Sequence, residues 1–170
     1  MAADRLSQLL GVVALAAMDR VRGAVEGSLG RGGGHAAALV HLDAHPGEPV
    51  GRLARVLGVS QPAAVKIADA LAADGLLLRR PGPDRRTTSL QLTSAGTRAA
   101  RRVLLERAAA LDELSTALDD AERRDLERLL DRLVSTLADD RPTALRCCRL
   151  CDRDACYRAG SACPLDHTVA

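Results

Sequence analysis

Apolar positions recur every three to four residues along most of this chain, and only once does the period shorten to two. The first helical pattern covers about residues 3–28, from Leu9-Leu10-Gly11-Val12-Val13 on through Val21 and Val25, and ends at the glycine loop Gly30-Arg31-Gly32-Gly33-Gly34. His35 to Ala44 reads as a second helix, stopped by Pro46-Gly47. A third covers Val50 to Leu57, and after the turn Gly58-Val59-Ser60 a fourth covers Gln61 to Leu71. Beyond Gly75 the pattern becomes strand-like at Leu76-Leu77-Leu78, turns at Arg79 to Arg86, and alternates again from Thr87 to Leu92. Thr93 or Ser94 then caps a long helix through about Leu118, with Val103, Leu104, Leu111 and Leu114 on its apolar side. Asp119 with Glu122 forms a capping box for another helix, whose stripe is Leu126, Leu129, Leu130, Leu133, Val134 and Leu137.

The middle of this pattern has local reasons at each joint. Gly58 supplies the positive φ that ends one helix, Ser60 caps the next, and Pro62 stands in the first turn, where its missing donor is harmless. Val65, Ala68 and Leu71, flanked by Ile67, are expected to face inward against Leu53 and Leu57. Gln61, Ala63 and Lys66 then face outward, a set suited to base edges, a thymine methyl and phosphates in a major groove. The expected fold is mainly α with a small β wing: a winged helix-turn-helix.

From Leu53 to Gly96 the chain resembles the MarR family of dimeric winged-helix transcription regulators. The resemblance rests on Ser60-Gln61-Pro62-Ala63-Ala64-Val65-Lys66 opening the recognition helix, on Asp69 and Leu71 within it, and on Gly75-Leu76 closing it. It rests also on the wing signature Asp84-Arg85-Arg86, followed by Leu92-Thr93-Ser94-Ala95-Gly96. By helix layout it extends over most of residues 5–140. It implies double-stranded DNA as partner, with Ser60, Gln61, Pro62, Ala63, Lys66, Arg79, Arg80, Asp84, Arg85 and Arg86 at the interface. Arg86 would enter the minor groove, with Asp84 holding its arginine neighbour in place. It also implies a possible small-molecule effector, bound between the dimer helices and the winged helix.

Composition sharpens this picture. With 170 residues, 47% hydrophobic, and Tyr157 as its single aromatic side chain, the chain is expected to build its core from aliphatic residues and alanine. The net charge of +2 does not by itself point to nucleic acid, but the distribution does. Arg79, Arg80, Arg85 and Arg86 crowd the wing, Arg98, Arg101 and Arg102 follow, and the acidic residues gather from Asp112 to Asp140. The run from Leu9 to Ala17 has the length of a secretory apolar region, yet Asp4 stands beside Arg5 ahead of it and the pattern continues helically; a buried dimerisation helix in a cytoplasmic protein is expected. No segment has the apolar length to span a membrane. An enzyme is not expected, because no glycine-rich loop follows a strand and His41 and His45, four residues apart, lack the glutamate of a hydrolytic zinc helix.

The apolar first helix and the leucine stripe of the last have too little partner surface inside one subunit, so a homodimer is expected. Its two recognition helices, spaced about 34 Å apart, would read a pseudo-palindromic operator. The chain thus divides into a dimerisation helix and loop (1–34), the winged helix (35–96), C-terminal dimerisation helices (97–140) and a tail (141–170).

All five cysteines lie in that tail: Cys147, Cys148, Cys151, Cys156 and Cys163. Adjacent Cys147 and Cys148 do not comfortably ligate one metal, which leaves Cys148, Cys151, Cys156 and Cys163 as the ligand set, with Cys147 and His167 as substitutes. Four cysteines in one short stretch suit an iron–sulfur cluster, and Zn2+ is the close alternative. Cys148-Arg149-Leu150-Cys151 and Cys163-Pro164 locally resemble the cluster loop of SoxR-type redox regulators. Two readings stand beside metal binding: a thiol–disulfide switch without metal, and a protein-docking winged helix with a zinc-stapled tail. Ordering of the tail is expected to act through the dimer helices on the separation of the recognition helices.

Overall fold

The computed structural model describes residues 4–82, 88–157 and 162–169. Among the described residues eight helices and one two-stranded sheet follow one another: α1 (Arg5–Leu29), α2 (Gly33–Ala44), α3 (Val50–Leu57), α4 (Gln61–Ala73), β1 (Leu77–Pro81), β2 (Thr88–Leu92), α5 (Ser94–Ser115), α6 (Asp120–Val134), α7 (Arg141–Cys147) and α8 (Arg153–Cys156). A 3-10 turn at Asp166–Val169 closes the tail. The mainly helical fold with its small wing agrees with the sequence pattern. Several boundaries differ: α2 already begins at Gly33 within the expected loop, α4 runs on to Ala73, β1 begins at Leu77 and runs to Pro81, and α5 ends at Ser115 because Ser115, Thr116 and Arg123 side chains take up carbonyls around that turn.

The centre of the molecule is α2. Every residue from Ala36 to Leu42 is buried, which a helix tolerates only if other elements pack around it. One core joins Leu39 and Leu42 to Leu53, Leu71, Leu77 and Leu90. A second joins Val40 to Val21 and Val25 of α1 and Val103 of α5, so that α1 lies along α5. With no Phe or Trp, the core is filled by aliphatic side chains and by alanines such as Ala36, Ala38, Ala68 and Ala100, each with no exposed surface.

Two glycines are set by geometry. Gly58 adopts φ 67° and its N–H reaches the carbonyls of Ala54 and Arg55, ending α3. Gly96, in the first turn of α5, lies so near the chain entering β1 that a Cβ would sit 2.0 Å from the Leu76 carbonyl oxygen. Thr93 locks the same corner: its N–H donates to Leu76 O at 3.0 Å and its hydroxyl to Gly75 O at 2.8 Å, while it accepts from Gly96 N at 3.0 Å.

Two apolar surfaces stay uncovered in the single chain. The first half of α1 exposes Leu6, Leu9, Val12, Val13 and Leu15, and no residue of α6 is buried, with Leu126, Leu129, Leu130 and Leu133 each 40–48% exposed. The capping box of α6 forms as expected, Asp119 accepting from Ala121 N and Glu122 N and Glu122 accepting from Asp119 N.

Candidate nucleic-acid interface and cysteine centre

The helices α3 and α4 meet at a bend of 107°, within the range of a helix-turn-helix. Ser60 caps α4 by accepting from Ala63 N at 3.4 Å, and Pro62 occupies the first turn. Ala64, Ala68 and Leu71 form the buried face, with Ile67 half-buried. This corrects one expectation: the innermost position of the first turn is Ala64, and Val65 stands at the side of the helix. Gln61, Pro62 and Lys66 are exposed and Ala63 is half-exposed, so none of the four belongs to the buried face.

Beside α4 stands the wing, with Leu77 opposite Leu92 and Pro81 opposite Thr88. Leu77 and Leu90 face the core, while Leu78, Arg79 and Arg80 face out. Arg79 donates to Asp69 Oδ1 at 2.6 Å and so ties the wing to the side of α4. Asp84, Arg85 and Arg86 lie outside the described residues. The pairing Pro49 with Ser89, together with Gly47 N to Leu90 O at 2.9 Å and Leu90 N to Glu48 O at 3.0 Å, extends the wing toward the start of α3. Arg98 and Arg102 of α5, both exposed, flank a groove that also includes Arg31, itself held by Asp74 through two hydrogen bonds.

The tail is folded back onto the molecule. Asp140 caps α7 by accepting from Thr143 N at 2.8 Å, and Ala144 and Leu145 bury the helix against its neighbours, α3 among them. Asp152 caps α8, and Asp166 accepts from the Tyr157 hydroxyl at 2.7 Å and from Cys163 N at 3.2 Å. Cys148, Cys151, Cys156 and Cys163 all line one cavity, whose opposite wall is Val40, His41, Ala44 and His45 of α2. The structure therefore places the four proposed ligands on one cavity, although only Cys156 lies within a helix and the other three stand in the connections around α7, α8 and the 3-10 turn. Cys147 is exposed and does not line this cavity. Neither does His167, whose ring nitrogens face the carbonyls of Pro164 at 3.1 Å and Ala138 at 3.0 Å; it pins the tail instead.

All five cysteines are free thiols. The Cys151 thiol is lowered to about 6, chiefly because Cys148 donates a hydrogen bond to its sulfur, with Arg107 and Arg149 adding to the effect. Cys148 is correspondingly raised, and burial raises Cys156. The four thiols line one cavity, yet among the described residues no three ligand-type side chains stand about one point as a bound metal ion would require. Across the cavity His41 Nε2 lies 2.7 Å from Glu48 Oε2, Glu48 Oε1 accepts from Arg52 at 3.0 Å, and the His41 and His45 rings are 4.7 Å apart. Burial first, then His41, lowers the His45 imidazole, and its Nε2 lies 3.3 Å from Arg153 Nη1.

The profile of the MarR family matches residues 29–87. This stretch is thus similar to the MarR family, and its described residues fold as a helix-turn-helix that leads into a wing. The chain is 35% identical over 103 residues to the transcriptional repressor MprA of Escherichia coli strain K12, a match covering 59% of this chain and 58% of that protein. The match thus spans little more than half the length of this curated relative. Among solved structures, the Mycobacterium tuberculosis MarR family protein Rv2887 is 26% identical with a TM-score of 0.63, covering 77% of this chain and 96% of that one. Its structure in complex with DNA aligns with a TM-score of 0.64 at 24% identity, covering 77% and 98%. The MarR match takes in α2, the helix-turn-helix and β1. It stops short of the cysteine centre, where sequence reasoning had identified the thiols but not their opposite wall. His41 and His45 had shown only their shared helical face, and Glu48, Arg52 and Arg107 had given no signal.

Proposed function

We propose that this chain is a homodimeric DNA-binding transcriptional repressor of MarR type, and that its C-terminal thiols hold an iron–sulfur cluster or Zn2+. The observation that carries the DNA reading is the exposure of Gln61 and Lys66, with Ala63 half-exposed, on a capped helix standing beside an arginine-bearing wing. That the aligned Rv2887 structure is a complex with DNA supports the same partner. The uncovered faces of α1 and α6 support a second copy of the chain, which places two recognition helices on one duplex. The groove beside Arg31, Arg98 and Arg102 leaves room for a small-molecule effector. Lys66→Ala is expected to weaken binding across sequences and to lower the salt dependence by about one phosphate contact. Anisotropy titrations at several salt concentrations check this; an unchanged slope would remove Lys66 from the interface.

Four thiols around one cavity support the metal reading. Among the described residues no three ligand-type side chains are arranged about a single ion, so holding either group requires the thiols to draw together. Cys151→Ser is expected to lower affinity for the group by at least about tenfold, and Cys147→Ser to leave it unchanged. Iron, sulfide and zinc content of protein purified without oxygen decides the identity of the group. The second reading, a thiol–disulfide switch without metal, is favoured by the lowered Cys151 thiol and by Cys148 lining the same cavity. Metal-free protein that loses two thiols on mild oxidation would establish it instead.

A further inference from the structure

The cysteine cavity and the DNA-reading elements share a wall. Its far side is the C-terminal end of α2, and the residues immediately after α2 are those that pair with the wing and start α3. On one route, Arg153 of the tail meets His45, His45 stacks near His41, and His41 reaches Glu48. Glu48 then acts in two directions: its side chain accepts from Arg52 of α3, and its backbone carbonyl accepts from Leu90 of β2. On a second route, α7 packs on α3, and the Arg146 side chain lies 3.8 Å from where a Cβ of Gly58 would stand, directly over the turn between α3 and α4. Arg146 is two residues before Cys148, and Arg153 two residues after Cys151. Whatever fixes those two cysteines also fixes both arginines.

We propose that filling of the cysteine cavity is transmitted to the recognition helix and wing within the same subunit, through Arg146 beside the α3–α4 turn and through the His41–Glu48–Arg52 junction. This rests on the reading of the chain as a DNA-binding protein whose thiols hold a metal or cluster. It replaces the expected route through the dimer helices with a shorter one, because the tail is seated on α2 and α3. Gathering four thiolates about one group draws the end of α7 and the start of α8 toward the cavity. Arg146 and Arg153 move with them, so the α3–α4 turn and the base of the wing take a different position relative to α2. Glu48 and Arg146 are positioning residues: neither belongs to the exposed positions of α4 nor to the thiol set.

The test uses the full chain purified without oxygen, either loaded with ferrous iron and sulfide (or with Zn2+, if that is the group bound) or stripped by chelator. The duplex is one selected by the unsubstituted chain from a random library. Loaded and stripped protein are expected to differ in affinity within the span of about 5–150-fold typical of coupled sites. Amide exchange is expected to change at 47–58 and 88–92 on loading. Glu48→Gln and Arg146→Ala each shrink the affinity ratio to within about twofold, with metal and sulfide content and stripped-state affinity unchanged. A loaded, DNA-binding chain that keeps its full ratio in both variants, or whose exchange changes only in α1 and α6, overturns the inference alone. Equal affinity of loaded and stripped protein overturns it as well. A chain that takes up neither iron with sulfide nor zinc, or binds no duplex, overturns the underlying reading and the inference with it.

Discussion

Leu129→Glu with Leu133→Glu is expected to convert the protein to a monomer and to lower its affinity for a palindromic duplex by two to four orders of magnitude. The two leucines are 47% and 48% exposed in the single chain, and α6 contains no buried residue. Replacing them therefore opens no cavity in the subunit, and the helical circular-dichroism signal should be retained. In a dimer the same side chains enter an interface, where each leucine contributes about 1.5–3 kcal/mol when fully buried. Two glutamates on each of two facing stripes also bring like charges into an apolar seam, which the pair avoids only by separating. A monomer keeps one recognition helix and one wing. It loses the effective concentration that the second half-site provides, worth about 10²–10⁴ in affinity. Sedimentation velocity and anisotropy titration report the two effects separately. A variant that remains dimeric would move the seam away from α6, and a monomer with unchanged affinity would show that one domain suffices for binding.

The periodicity of the sequence specified the helices and the wing well because most of their boundaries carry local chemistry. Gly58, Ser60, Thr93 and Asp119 each end or begin an element through a bond they make within a few residues, and each is found doing so. Which side of α4 is buried was harder to read. Spacing gave the innermost place of the first turn to the branched Val65, and only the seating of α3 and α2 against the helix puts Ala64 there instead. The ends of β1 and α5 also escaped, since they depend on the partner strand and on side chains taking up carbonyls several residues away.

The site divides along the same line. The outward placing of Gln61, Ala63 and Lys66 follows from helical spacing alone, and the thiol set from its concentration in the tail. What those thiols face is a long-range property. His45 and Arg153 are 108 positions apart, and His167 with Ala138 is a 29-residue closure. No spacing rule reaches across such distances, so the seat of the tail on α2 and the engagement of His167 with carbonyls became visible only in the fold. Arg79 has the same lesson on a smaller scale: as one of four wing arginines it reads as a free cation, yet ten residues back Asp69 already holds it.

Gly96→Ala should destabilise the winged helix more than its size implies, by about 1–3 kcal/mol or above. The added methyl would stand 2.0 Å from the Leu76 carbonyl oxygen, and 3.2 Å from Leu92 Cβ. The first of these obstacles is backbone, in a corner that Thr93 fastens by bonds to Leu76 and Gly75, so no flexible side chain can swing away. Relief requires α5 to lift from the entrance to β1. That shift would unseat Ala99 and Ala100, which are 3% and 0% exposed in the central core, and would move the wing relative to α4. The matched control is Gly51→Ala in α3, where no atom lies within 4 Å of the new methyl. There the reduced entropy of the unfolded chain and the better helix propensity should stabilise by about 0.5–1 kcal/mol. Opposite signs for the same chemical change are the outcome expected from denaturant titrations of the two variants. If Gly96→Ala were neutral, α5 and β1 would have room to separate, and the corner would not be what fixes the wing beside the recognition helix.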